Sequence, residues 1–438
     1  MKKSMKMAAV AVAVSMGLSL SACAGGSDAP KSGDTTASSS AAPSSLTVWA
    51  WDAKFNVYSM QEAGTIYQKT HPGFTLNIVE TPWADLQTKL SAIAQSGQLD
   101  QLPDIFLMQN NAYQKNVTNY PDLFADFGDS GVDFNQYPES VVGFSTVEGR
   151  HYGLPFDNAT AVAAYRTDIL EQAGFTIDDF TDLTWAEFMA KGREVLAKTG
   201  KPLLSGLAGD SDTIALMLRS AGGSLFDKDG KPTIVNNDIL REVIAEYKEM
   251  VSAGVFLEVN SRDEYAKSFV TGQVAAVIQG CWVLGTLQSA EDQAGKWDLT
   301  NVPKLNNIAS ATNYASNGGS SWAVSSTGNY ELATDFLKST FAGSMELYDT
   351  ILPGAGALAY WMPAGKSSVY SQPQPFFSGD KIYSKIVDFS QKVPNNNPGA
   401  YFYEAREAIS AAMTKMLNGT DVASALQEAQ DTVEFAMH

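Results

Sequence analysis

The chain has 438 residues, with 48 Asp or Glu against 30 Lys or Arg, for a formal charge of −18 at pH 7. So acidic a surface argues against nucleic acid and against a polybasic membrane patch. Its three histidines, His71, His151 and His438, are too few and too scattered for a metal centre or a Ser-His-Asp arrangement, and neither metal nor cofactor is expected.

The opening MKKSMKMAAVAVAVSMGLSLSAC reads as an export signal. Lys2, Lys3 and Lys6 give a positive start, and Ala8 to Leu20 is an apolar run too short to cross a bilayer. The ending Leu20-Ser21-Ala22-Cys23 resembles the lipobox of bacterial lipoproteins, where the cysteine is acylated. Residues 1–22 are therefore expected to be a signal peptide, and 23–45 a lipid-bearing Cys23 with a tether. That tether is Ser, Thr, Ala, Gly and Pro, with too little apolar surface to offset its ordering entropy. Loss of the three lysines takes the formal charge to −21. The remaining body of about 390 residues exceeds what one core usually serves, so two lobes are expected. Cys281 is then a lone thiol, expected to be buried and inert.

The body opens with a strand at Leu46–Ala50 and a helix near Met60–His71, broken by Pro72-Gly73. A second strand covers Phe74–Glu80. Trp83–Ser96 follows as a helix, with Leu86, Leu90 and Ile93 at helical spacing. Pro103–Met108 is a short buried strand, with Asp104 assigned a structural role. This strand–helix alternation points to an α/β fold with a parallel sheet and helices on both faces. Tyr152–Phe156 turns into a strand at Thr160–Tyr165. Thr184 and Glu187 form a capping box for a helix reaching about Thr199. Strands are expected at Gly272–Gly280 and from Trp322, with a helix over Tyr330–Ala342. Glu404–Leu417 carries one apolar stripe and ends at Gly419, and Asp421 caps the last helix.

Aromatic residues gather at element ends: Trp51, Trp83, Tyr113, Trp282, Trp322, Tyr360, Trp361, Tyr401, Phe402 and Tyr403. Amides and carboxylates accompany them at Asp52, Gln109, Asn110, Asn111, Asp157, Asn158, Gln279 and Asn317. In open α/β sheets ligands bind beyond the carboxyl ends of strands, where Asp52, Gln109–Asn111 and Asp157 fall. A flat indole suits the C–H face of a pyranose, and amides and carboxylates suit its hydroxyl rim. Trp49, alternating with Trp51, is expected to face the other way into the core, and Trp185 and Trp297 to be structural. No arginine is expected among these loops.

Four stretches together resemble the extracellular solute-binding proteins of ABC importers, in the carbohydrate-binding branch that includes maltose-binding protein. They are Pro103-Asp-Ile-Phe-Leu-Met-Gln-Asn-Asn-Ala-Tyr113, Tyr152-Gly-Leu-Pro-Phe-Asp157 with Tyr165-Arg-Thr-Asp-Ile-Leu170, Gly272–Trp282, and Gly318-Gly-Ser-Ser-Trp-Ala-Val-Ser325 with Ala333–Leu337. Tyr401–Arg406 stands where that family has an aromatic binding segment. Arg166-Thr167 departs from the usual Asn-Lys, and Gln109–Asn111 lacks an acidic residue. The resemblance implies a two-lobed, type II binding-protein fold with a cleft and a hinge of chain crossings. Lobe 1 would take 46–157 plus 320–360, and lobe 2 158–319 plus 361–438.

It further implies a lipid-anchored, extracytoplasmic, monomeric receptor that hands an oligosaccharide of about two to four units to an ABC permease, without catalysis. The expected ligand contacts are Trp51, Asp52, Trp83, Gln109, Asn110, Asn111, Tyr113, Asp157, Asn158, Trp282, Asn317, Gly319, Trp322, Trp361 and Phe402. The alternatives are a peptide or amino-acid receptor, which needs a fixed cation, and a glycoside hydrolase, which needs two spaced carboxylates.

Overall fold

The computed structural model describes residues 44–396 and 398–438. The expected signal, Cys23 and the tether up to residue 43 lie outside the described residues.

The first half is built on strands β1 (Ser45–Ala50), β2 (Thr75–Glu80) and β3 (Ile105–Gln109), joined by helices α1 (Asn56–Gln68) and α2 (Trp83–Ser96). β1 pairs parallel with β2 and β3, as the alternation requires. The first helix starts four residues before its expected onset, because Asn56 turns its side chain back to accept from the amides of Trp51 and Asp52, both at 3.0 Å. Leu46, Val48 and Ala50 alternate into the core, while Trp49 points to the other face and is only half-buried, with the Lys89 ammonium 5.0 Å from its ring centre; this corrects the expectation of a core position opposite Trp51, since residues two apart on a strand share a face and both indoles pack on the same cluster. Asp104 ties elements together: it accepts from the amides of Thr47 and Asn329, both at 2.8 Å.

This sheet is mixed, which corrects the all-parallel expectation. β4 (Phe124–Ala125) and β5 (Leu154–Asp157) leave the first half. The chain builds the second half and then returns as β11 (Ser320–Ser325), antiparallel to β3, β4 and β5. The order is β2-β1-β3-β11-β4, with β5 also on β11. A strand entering from the far side runs against its neighbours, and all six of its residues are buried.

The second half centres on β6 (Ala161–Arg166), flanked antiparallel by β9 (Ala276–Gly280) and β10 (Trp297–Thr300). β7 (Leu204–Leu207) and β8 (Phe256–Val259) form a parallel pair beside it. β9 is shorter than expected because Gly272, at φ +66°, closes a turn in which the Gln273 amide returns to the Ser268 carbonyl at 2.7 Å. The capping box is present: Thr184 N donates to Glu187 Oε2 at 2.8 Å, and Glu187 N to Thr184 Oγ1 at 3.3 Å. It opens helix α3 (Trp185–Thr199), whose Trp185 is fully buried. Trp297 is also fully buried, its indole donating to Gln293 Oε1 at 2.8 Å. Helix α4 (Ser211–Ser220) follows β7, and the last two helices, α5 (Phe402–Leu417) and α6 (Val422–Ala436), pack on this half.

The halves are joined where three chain passages lie side by side. Asn158 N donates to Leu358 O at 3.0 Å, Asn317 N to Ala159 O at 2.9 Å, and Ala161 N to Ala315 O at 2.8 Å. Two buried tyrosines brace them: the Tyr360 hydroxyl accepts from Ala159 N at 2.8 Å and that of Tyr370 from Ala359 N at 3.0 Å.

Candidate functional site

A cleft of about 990 Å³ is lined by residues of both halves. It gathers eight of the expected contacts: Trp51, Asp52, Gln109, Asn111, Asp157, Trp282, Asn317 and Gly319. Most stand just past the carboxyl end of a strand, where backbone direction changes and side chains are free to converge.

Trp282 follows β9 and is 43% exposed, unusual for an indole in a folded core. Its ring is held rather than loose. Nε1 donates to the Asn317 carbonyl at 2.9 Å. Gly280 permits this: a Cβ there would come within 2.5 Å of Nε1 and 2.4 Å of that carbonyl. Asn317 in turn gives its Nδ2 to Gln279 Oε1 at 2.6 Å. The result is a fixed apolar plate facing the cleft.

Asp157 ends β5. Its Oδ1 accepts from the amide of Ser320 and from the Ser320 hydroxyl, the latter at 2.7 Å. Burial raises its pKa to about 6, against the lowering effect of those bonds. Asp52 is exposed and accepts from Lys54 N at 2.9 Å. Trp51 is half-buried beside it.

The amide loop is polarised by its partners. Arg219 of α4 donates Nη2 to Asn111 Oδ1 at 2.6 Å, and the Tyr403 hydroxyl donates to Gln109 Oε1 at 2.5 Å. Each amide oxygen thus has a fixed donor, which sets the orientation of its side chain. Arg219 is 2% exposed; burial draws its pKa down to about 10, so it stays charged at neutral pH.

Seven expected contacts do not line the cleft. Asn110 is fully buried, its Oδ1 accepting from the Ser321 hydroxyl at 2.7 Å. Tyr113 is fully buried and donates to Ser321 O at 2.8 Å. Asn158 braces the chain crossing, with Nδ2 on Ala359 O at 3.1 Å. Trp322 points into the core from β11. Trp361 is buried, donating to Gln136 Oε1 at 2.7 Å. Phe402 lies under the Arg219 guanidinium, 4.7 Å from it. Trp83 is half-buried and lines a neighbouring, smaller cavity. Of the ten aromatics singled out, Trp51, Trp282 and Tyr403 reach the cleft, because an element-end position does not say which face the side chain takes.

The expectation of no arginine is overturned. Arg262 and Arg406 both line the cleft. Asp212, itself buried, holds them, at 3.0 Å to Arg262 and 3.1 Å to Arg406. Asp212 lies in the first turn of α4, just beyond β7, so the same strand-end logic reaches it. Arg406 lies one turn after Tyr403 on α5 and shares its face. Cys281 is buried as expected, its thiol donating to Asn158 O at 2.9 Å, and burial pushes its pKa far up. Among the described residues no cluster of His, Cys, Asp and Glu has the arrangement of a metal site.

Residues 62–368 match the family described as bacterial extracellular solute-binding protein. A lactose-binding protein of Rhizobium radiobacter is 36% identical over 387 residues, covering 88% of this chain and 91% of that protein. An arabinooligosaccharide-binding protein of Bacillus subtilis (strain 168) is 24% identical and covers 90% of each chain. A solved extracellular solute-binding protein of family 1 superposes with a TM-score of 0.75 at 20% identity, over 90% of this chain and all of that one. The expected two-lobed binding-protein fold is thus the fold observed.

Proposed function

The chain belongs to the bacterial extracellular solute-binding proteins, and from that premise we propose that its cleft binds a small oligosaccharide for delivery to an ABC permease. The observation that carries the reading is Trp282, an indole pinned at its nitrogen and open on its face, set among carboxylates and amide donors. A sugar ring would stack on Trp282. Its hydroxyls would donate to Asp157 and Asp52 and accept from Gln109 and Asn111. Relatives that bind lactose and arabinooligosaccharide support a ligand of about two or more units.

The lobes are taken as 46–157 with 320–360, and 158–319 with 361–438. Residues 361–390 pack on both: Trp361 stacks on Tyr348 at 5.9 Å, while Lys385 donates to Leu299 O at 2.9 Å. The three crossings serve as the hinge. Ligand favours the closed arrangement because it contacts both lobes at once. The family places the protein outside the cytoplasm. Cys23, ending a lipobox, would anchor it there, and the body would act as a monomer.

Two other ligand readings are tested alongside. A peptide or amino acid would set its carboxylate on Arg262 and Arg406, which Asp212 already engages. A hydrolase would cut the sugar between two of Asp52, Asp157 and Asp212. Thermal unfolding of residues 24–438 against sugars, peptides and amino acids separates these readings. A ligand at a hundred times its Kd adds about 2.7 kcal/mol, a shift of roughly three degrees. A shift with an oligosaccharide recovered uncut supports the receptor. A shift with peptides alone, or a cleaved sugar, rejects it.

Asp157 gives a pH signature. Its folded pKa, near 6, means the charged acceptor is present above that value and lost as pH falls through it. Sugar affinity is expected to be highest above pH 6 and to drop by roughly tenfold towards pH 5. Asp157→Asn should bind weakly with a flat profile. Stability of the unliganded protein should move the other way: ionising a buried carboxyl is costly, so this contribution falls as pH rises from about 4 through 6. Calorimetric titrations at pH 5 and 7.5 check both proteins.

A further inference from the structure

Helix α5 belongs to the second half: Ala405, Ile409, Ala412 and Met413 lie in that half's core. Its first turn nevertheless reaches across to the first half. The Tyr403 ring packs on the first-half cluster that holds Leu86, Leu90 and Met108. Its hydroxyl donates to Gln109 Oε1 at 2.5 Å, at the end of β3. One residue on, Glu404 Oε1 takes the Lys115 ammonium, which also stands 5.0 Å from the centre of the Tyr401 ring. Lys115 sits on the short helix Tyr113–Asn119, itself fixed in the first half by the fully buried Tyr113.

Each side of this seam is thus anchored in a different core, so separating the halves must part its bonds. The inner end rests on a chain crossing, where Arg219 donates both to Asn111 Oδ1 and to Ser316 O. The Lys115–Glu404 pair lies one helical turn beyond Asn111 in the chain, on side chains that water reaches when the halves part. All of these contacts run from protein to protein, and none needs a ligand to complete it. In water each such bond is worth a few-fold in an equilibrium constant, enough together to decide between two arrangements of similar energy.

We propose that this seam is a latch that holds most of the unliganded protein closed, with Tyr403–Gln109 and Lys115–Glu404 as its two bonds. Solute then enters during brief openings and finds both walls of the cleft already in register. Gln109 belongs to the latch and to the cleft at once, so latching and cleft assembly are one event. Loosening the latch lowers the closed fraction, and the apparent affinity for any solute that needs the closed form falls by the same factor.

Small-angle X-ray scattering of unliganded residues 24–438 tests this in wild type, Tyr403→Phe, Lys115→Met and the double variant. Phenylalanine keeps the ring on its cluster, and methionine keeps an apolar stem beside Tyr401. Each single variant should shift the closed-to-open ratio by roughly threefold to tenfold towards open. The radius of gyration should rise from wild type to the single variants and again to the double variant. Melting points should stay within about two degrees of wild type, since neither core is touched. The same radius of gyration in all four proteins overturns the latch. An expanded variant that melts far below wild type also overturns it, because the seam then supports the fold rather than the closed form. No sugar is present in the measurement, so its outcome is independent of whether the cleft takes an oligosaccharide.

Discussion

Trp282→Ala is expected to weaken sugar binding by about 30- to 100-fold, or roughly 2–3 kcal/mol, the largest loss of any single cleft substitution. The reason is the way the indole is presented. Nearly half of its surface is open, so the folded protein gains less from it than from a fully buried indole. Its Nε1–Asn317 bond fixes the ring plane in advance, so a ligand stacking on it loses little side-chain entropy. Affinity should therefore fall further than stability: the unliganded variant loses the Nε1–Asn317 bond and the buried part of the ring and should melt roughly one to three degrees below wild type. Trp282→Phe keeps a smaller plate without its anchor and should fall between the two. Titration calorimetry with paired melting curves checks this; an equal fall in both quantities would mean that Trp282 supports the fold rather than the ligand.

Arg219→Met should do the reverse, costing stability first. Arg219 donates to Asn111 Oδ1 at 2.6 Å and to Ser316 O at 3.2 Å, joining the first half to a chain crossing. Phe402 and Phe144 lie 4.7 and 5.5 Å from its guanidinium. Methionine fills much of the volume but leaves two buried oxygens without donors, a loss of about 2–4 kcal/mol. For a body of about 390 residues that is a melting decrease of roughly two to five degrees. Sugar affinity should fall as well, because Asn111 is then free to turn its oxygen toward the ligand. Arg219→Lys keeps the charge but not the fork, and should recover only part of either loss. Thermal denaturation of the three proteins, with and without sugar, decides the matter; an unchanged melting point in Arg219→Met would contradict the bracing role.

The elements were legible where local rules act alone. The capping box at Thr184, the spacing of Leu86, Leu90 and Ile93, and the Asp421 cap, which accepts from Ser424 N at 3.0 Å, each depend on a few neighbouring residues. The antiparallel return of β11 was not legible, because it follows from the chain building a whole second half before coming back. The same distinction governs the site. Trp51, Asp52, Asp157 and Trp282 lie at strand ends that open on the cleft, where the strand-end rule looks for ligand contacts. Tyr113 and Trp322 occupy similar places in sequence but face inward, and only packing decides that. Arg262 and Arg406 escaped because each belongs to a helix whose face toward the cleft is set by Asp212, far away in the chain.

The most direct measurement is a crystal structure of residues 24–438 with the oligosaccharide that gives the largest melting shift. A sugar ring stacked on Trp282, with hydroxyls on Asp157 and on the amides of Gln109 and Asn111, is the result the account predicts. A sugar bound away from Trp282, or a carboxylate ligand seated on Arg262 and Arg406 in its place, would contradict it.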